Sequence, residues 1–194
     1  MPGRLFLVRD PVLTGVPAPD PRPNIKSGET LLTLTAEGPR EMRWGMIPVG
    51  RVNARGRPVM ETIINARSET VFDKSAYAGV KRAAVPADGW YEWTGEKRRK
   101  TPWRITRKDG DLLRFAAIYD IWQAPGGTEV AQVATVTCEP SADVRAIHHR
   151  MGVLLNEDQL ETWLRGPQEA AAALMRPSPD GTLLVEQATD VDLS

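Results

Sequence analysis

The sequence predicts a single α+β domain dominated by antiparallel sheet, and three observations carry that prediction. Segments of period-two hydrophobicity follow one another as far as Cys138, separated by reversals rich in Gly, Pro and Asp. Apolar spacing of period 3.6 is confined to short stretches, most of them after Cys138. No internal repeat or interdomain linker interrupts the chain, and its 194 residues, 41% of them hydrophobic, suffice for one core. The expected domain spans 1–194, with a core from Pro2 to Arg165 and a helix-and-strand extension from Gly166 onward.

Taken in order, Leu5 to Val8 is a compact apolar run suited to a buried strand. The Pro-rich stretch from Pro11 to Pro23 lacks the N–H groups of a ladder or helix and is expected to cross the surface as a loop. Thr30 to Ala36 and Glu41 to Met46 alternate as strands, whereas Val49 to Pro58, rich in Gly and Arg, reads as an irregular loop. Ser68 is placed to cap a helix, although Val71 stands where a capping box has Glu or Gln. Phe72, Ala76 and Val80 then recur every four residues, the buried face of a short helix with Asp73 and Lys74 turned outward.

Successive strands are expected at Ala83 to Pro86, Gly89 to Thr94, Trp103 to Thr106, Leu112 to Trp122 and Val130 to Cys138. Their reversals, at Thr94-Gly95-Glu96, Lys108-Asp109-Gly110 and Ala124-Pro125-Gly126-Gly127, supply the positive φ of tight turns. Ser141 to Ile147 predicts a short helix. Asn156-Glu157-Asp158 opens another, with Leu160, Trp163 and Leu164 on one face and Gly166-Pro167 at its end. Gln168 to Met175 reads as a further helix and Thr182 to Val185 as a late edge strand before an acidic tail.

Charge and composition exclude several classes of function. Lys plus Arg and Asp plus Glu both number 25, so affinity for nucleic acid would have to come from a local patch. A lone cysteine excludes an internal disulfide, and with only two histidines it argues against a structural zinc site. No metal and no organic cofactor is expected. Cys138, in an apolar strand with no cation beside it, reads as a buried small hydrophobe. No apolar run reaches membrane-spanning length and no leader is visible, so the expectation is a monomer in a reducing cytoplasm, away from membranes.

Three polar segments stand apart: Asn65-Ala66-Arg67-Ser68-Glu69-Thr70, Pro86-Ala87-Asp88-Gly89-Trp90-Tyr91-Glu92-Trp93 and Ile147-His148-His149-Arg150-Met151. The aromatics around Glu92 would strip water from its carboxylate and raise its pKa, the condition for a general acid near neutrality; the plainer reading is a strand glutamate pointing to solvent. His148 and His149 can shuttle protons at working pH, although such a pair also serves as a surface or capping feature. An asparagine amide at 65 can orient an amine or a sugar hydroxyl, and Arg67 can clamp a phosphate; helix capping and an ion pair with Glu69 are the alternatives.

In this order, after a start reading Met1-Pro2-Gly3-Arg4, these motifs resemble the SOS response-associated peptidase (SRAP) family, whose members sense abasic sites in single-stranded DNA. The resemblance covers Pro2 to Leu164. It implies that Asn65, Glu92 and His148 belong to a catalytic site, with His149 a bystander, and that Arg4, Trp44, Arg67, Trp93, Thr137 and Arg150 form a DNA-binding face. Lys74 is a weaker phosphate candidate. Of the six tryptophans, only Trp44 and Trp93 are expected to meet bases, with Trp103, Trp122 and Trp163 reserved for core or interface. Gly152 replaces the family's proline, which is expected to loosen the backbone behind His148.

The family begins Met-Cys-Gly-Arg, and Pro2 stands at its nucleophilic cysteine. That cysteine's amine and thiol together close a thiazolidine on the sugar aldehyde. Proline supplies a secondary amine without a thiol, so the resemblance implies a transient iminium once Met1 is removed. Two alternatives stand beside it: a DNA-binding homologue without covalent activity, and a peptidase limited to removing its own Met1.

Overall fold

A computed structural model describes residues 2–13, 17–48, 53–57, 61–74, 77–96, 99–124 and 126–190. The predicted α+β class holds, with strands far outnumbering helical turns. The strands are β1 (Arg4–Leu7), β2 (Arg22–Lys26), β3 (Thr30–Thr35), β4 (Gly38–Trp44), β5 (Asn65–Arg67), β6 (Lys81–Ala87), β7 (Gly89–Thr94), β8 (Thr101–Arg107), β9 (Leu113–Gln123), β10 (Glu129–Cys138), β11 (Met151–Gly152) and β12 (Leu183–Gln187). Three helices follow β10: α1 (Ala142–Arg145), α2 (Glu157–Arg165) and α3 (Gln168–Ala173).

Two sheets result. The first has the order β12-β8-β7-β1-β2 and is antiparallel throughout. In the second, β10-β4-β3-β6-β9 closes on itself because β9 also pairs with β10, so the ring leaves no free edge there. Beyond that ring the last residues of β10 carry β5 in parallel on one side and β11 on the other. Trp90 of the first sheet and Phe115 of the second meet edge to face, 5.6 Å apart at 81°, in the core between them. Both are fully buried, as are Trp44 and Trp163.

Local signals explain most of the elements. Asn156 caps α2 through the Gln159 N–H while Gln159 returns to the Asn156 N–H, a complete capping box. Trp163 then pins α2 to β6 by donating its indole N–H to the Ala83 carbonyl at 2.7 Å. Residues beyond Gly166 are integral to the sheet, since β12 pairs with β8 over Leu183 to Gln187.

Two expectations are corrected. Pro23 lies inside β2, where the sequence reads as loop; β2 is an edge strand, and an edge tolerates a residue that cannot donate to a ladder. The helix expected from Ser68 is a series of turns instead. Asn65 to Arg67 pair with β10 and the Ser68 N–H donates to the Thr137 carbonyl, so Ser68 extends a ladder and is lost as a helix cap. Ala76 and half of the stretch from Val49 to Pro58 lie outside the described residues.

The register of β1 is fixed by close contact. Leu5 pairs with Trp90 and Phe6 with Gly89. A Cβ at Gly89 would collide with the Ile105 carbonyl oxygen and lie 2.7 Å from the Phe6 ring. At the far end of the strand, the buried Asp88 carboxylate accepts the N–H groups of Val8 (2.7 Å) and Arg9 (3.1 Å) and pairs with the Arg9 guanidinium. Replacing Gly89 with Ala is expected to cost about 1–3 kcal/mol, since backbone has to move to make room. A lowered denaturant midpoint in G89A, with no change in the slope of the unfolding transition, is the measurement that checks it.

Candidate functional site

The site forms where the two sheets meet the amino-terminal segment. Pro2, two residues before β1, is buried, and its carbonyl oxygen accepts a hydrogen bond from Asn65 Nδ2 at 2.7 Å. Asn65 is directed by its neighbour in the ladder: Thr135 of β10, fully buried and in register with it, donates its hydroxyl to Asn65 Oδ1 at 2.5 Å. With the oxygen engaged, the amide nitrogen faces Pro2.

Glu92 comes from β7. Strand alternation puts it on the same face as Trp90, which lies in the main core, while Tyr91 and Trp93 turn to the reverse face and pack with Phe6. The Glu92 residue is 5% exposed. Burial pushes its carboxyl above the ordinary range, and the Trp90 indole N–H acts against that shift. The solvent-pointing reading of Glu92 is thereby excluded.

His148 follows α1. Its Nδ1 lies 3.0 Å from the Arg150 N–H and 3.1 Å from the Arg150 carbonyl, so the ring is locked to its own turn. Burial lowers its pKa to about 4. At neutral pH the site therefore combines a neutral imidazole with a carboxyl whose proton is held more tightly than usual.

Arg150 is a clamp. It is 8% exposed, forks onto Glu69 at 2.5 and 2.9 Å, and donates to the Thr137 carbonyl at 2.6 Å. The turn after β5, the end of β10 and the His148 turn are thereby held together. Glu69, with Arg150 as the largest cause, has its carboxyl lowered to about 2.

The structure joins Asn65 to Pro2, buries Glu92 and half-buries His148, and sorts the expected DNA-binding residues differently. Arg67, two residues beyond Asn65 on β5, is exposed with no ion-pair partner among the described residues, as a phosphate clamp requires. Arg4 and Trp93 form a pair on the reverse face of β7, with the guanidinium 5.9 Å from the ring centroid. Trp44 is corrected: it has no exposed surface and its indole N–H donates to the Ile64 carbonyl, so no base can reach it. Thr137 is corrected in the same way, being fully buried against Ala66 and Arg150. The Arg150 guanidinium holds protein and leaves little surface for a phosphate. Gly152, expected to loosen the backbone, is required by packing, because a Cβ there would sit 2.5 Å from Phe115 Cε1. Cys138 is buried with its thiol pushed up to about 12, as a packing residue.

Two site residues carried no sequence signal. Thr135 reads as an ordinary strand threonine until its register with Asn65 is known. Trp103 pairs with Glu92 across β7 and β8, shares its face, and donates its indole N–H to Thr94 Oγ1 at 2.8 Å, forming a wall beside the carboxyl.

An amide bonded to Pro2, a buried carboxyl on β7 and a half-buried imidazole after α1 make up the candidate site. The chain belongs to the SOS response associated peptidase (SRAP) family, whose model matches residues 11–191. It is 32% identical over 152 residues to the abasic site processing protein YoqW of Bacillus subtilis (strain 168), covering 74% of this chain and 66% of YoqW. It is also 34% identical over 165 residues to the abasic site processing protein HMCES of Gallus gallus, covering 71% of this chain and 49% of HMCES. The chain thus spans just under two thirds of YoqW and about half of HMCES. A protein from Bordetella bronchiseptica shares the fold at a TM-score of 0.80 and 22% identity, over 96% of this chain and 99% of that one. A phage-related protein from the same organism reaches 0.72 at 26%, over 97% and 94%. Among the described residues no helix is long and apolar enough to cross a membrane.

The Glu69–Arg150 pair carries a pH signature. Because the carboxyl titrates at about 2 in the folded protein against an ordinary 4.5, its contribution is complete above pH 4.5 and is lost as pH falls toward 2. E69Q is expected to be less stable than the parent by about 1 kcal/mol at neutral pH, a modest figure because the Glu69 side chain is largely exposed. Denaturant titrations of both proteins from pH 7 to pH 2 should show the gap closing across the acid range.

Proposed function

We propose that this protein binds abasic sites in single-stranded DNA and reacts with them transiently through the secondary amine of Pro2. The observation that carries the reading is the hydrogen bond that Asn65 Nδ2 donates to the Pro2 carbonyl at 2.7 Å, at the end of β1 toward which the antiparallel pairing of Leu5 with Trp90 carries Glu92. The family match begins at residue 11, so the role of Pro2 rests on this geometry and on the resemblance of Met1-Pro2-Gly3-Arg4 to the family's start. The relatives' abasic-site processing supports the substrate class.

Once Met1 is removed, the Pro2 nitrogen adds to C1 of the ring-opened sugar aldehyde, and the resulting carbinolamine loses its hydroxyl as water to give an iminium. Glu92, protonated more readily than an ordinary glutamate, supplies the proton for the departing hydroxyl. Asn65 acts through the Pro2 carbonyl, fixing the residue and with it the direction of its nitrogen. The iminium then has two exits. Water can add and return the aldehyde, or neutral His148 can take a proton from C2 while the 3′ phosphate leaves, which cuts the strand. A thiazolidine is excluded because residue 2 has no thiol. Arg67 holds a neighbouring phosphate.

Borohydride reduction of Met1-free protein mixed with an abasic oligonucleotide is expected to trap a covalent complex, and E92Q should trap it at least tenfold more slowly, as the loss of a general acid or base predicts. P2C should give an adduct that survives without reductant. Intact mass establishes in advance that Met1 is gone. Binding without any trapped species would remove the covalent step and assign the chain to the DNA-binding homologues.

A further inference from the structure

His149 was expected to be a bystander, and its place in the structure gives it a task. Its ring stacks on that of His148, with centroids 4.3 Å apart and planes inclined by 26°. The two differ in exposure: His148 is partly buried and locked by Arg150, whereas His149 is exposed. One face of the His149 ring is covered by His148, and the residue as a whole is exposed to solvent. His149 is among the groups that act on both His148 and Glu92, so its exposed ring lies near the buried carboxyl.

The other aromatic candidates for base contact are less available there. Trp44 is fully buried, Trp93 lies on the reverse face of β7 against Arg4, and Trp103 is only partly exposed with its indole N–H tied to Thr94. Imidazole is planar and aromatic, and stacking on such a ring tolerates any base because every base has a π-face. An abasic nucleotide has no base of its own, so the base beside it has lost a stacking partner. A ring projecting beside the sugar can replace it.

We propose that His149 is the stacking platform for the nucleobase flanking the abasic sugar, extending the His148–His149 stack by one layer. The inference rests on the DNA-binding reading above and not on its covalent step. It makes recognition depend on the ring of His149 and not on its charge.

The test uses single-stranded oligonucleotides carrying a tetrahydrofuran abasic analogue, which cannot form an iminium, with the fluorescent base 2-aminopurine on one side of the lesion or the other. Binding to the parent protein should quench 2-aminopurine on one side. H149F should keep both quenching and affinity. H149A and H149K should lose the quenching and bind about tenfold more weakly, the lower part of the range for one stacked base. The exposed position leaves thermal stability within a few degrees of the parent in all three variants, which a melting curve checks. If the parent binds but H149A quenches and binds like it, the stacking role is wrong and the DNA-binding reading survives. If H149K alone keeps the affinity, charge and not the ring is what matters, and the proposal fails. A parent that binds no abasic strand overturns both.

Discussion

The hydrogen bond from Asn65 to the Pro2 carbonyl is the interaction on which the candidate site depends, because it joins elements of different sheets. Pro2 leads into β1 of the five-stranded sheet, whereas Asn65 belongs to β5 on the seven-stranded sheet. Beneath it, Trp90 and Phe115 make the corresponding apolar contact between the same two sheets. A polar bond of this kind contributes on the order of 1 kcal/mol, and the apolar burial below it supplies most of the cohesion. Its value lies in direction: it gives the amino-terminal segment one orientation relative to Glu92.

That orientation is protected from several sides. Asp88 holds the end of β1, Gly89 leaves room for Phe6, and Thr135 keeps the Asn65 amide turned the right way. On the far side, the Glu69–Arg150–Thr137 clamp holds the turn that carries His148. A slip of β1 by one residue would exchange its two faces and carry Pro2 away from the site. The polar groups around the site are consequently arranged as supports for a few reacting ones, and several residues expected to touch DNA prove to be supports.

The contrast between Glu92 and His148 is set by burial. The same loss of water raises a carboxyl and lowers an imidazole, so each group is driven toward its neutral form. For the proposed iminium chemistry this is a useful pairing of acid and base. It follows from burying both groups, with no metal required by the steps proposed.

What the sequence determined by itself was local or carried by motif. Alternating apolar residues located most strands, Gly95 and Gly110 marked their turns, Asn156 opened α2, and the motifs around Asn65, Glu92 and His148 announced the family. These signals survive in one dimension because they act between residues a few positions apart. Only the tertiary structure decided the rest. Ser68 joined a ladder because β10 lay beside it, Pro23 entered a strand because that strand is an edge, and Trp44 was lost to the core because the ring of strands closed over it. Thr135 and Trp103 acquired roles from strand register alone. Burial and register arise from which segments meet, and contacts between residues 63 or 80 positions apart leave no periodicity for a single sequence to show.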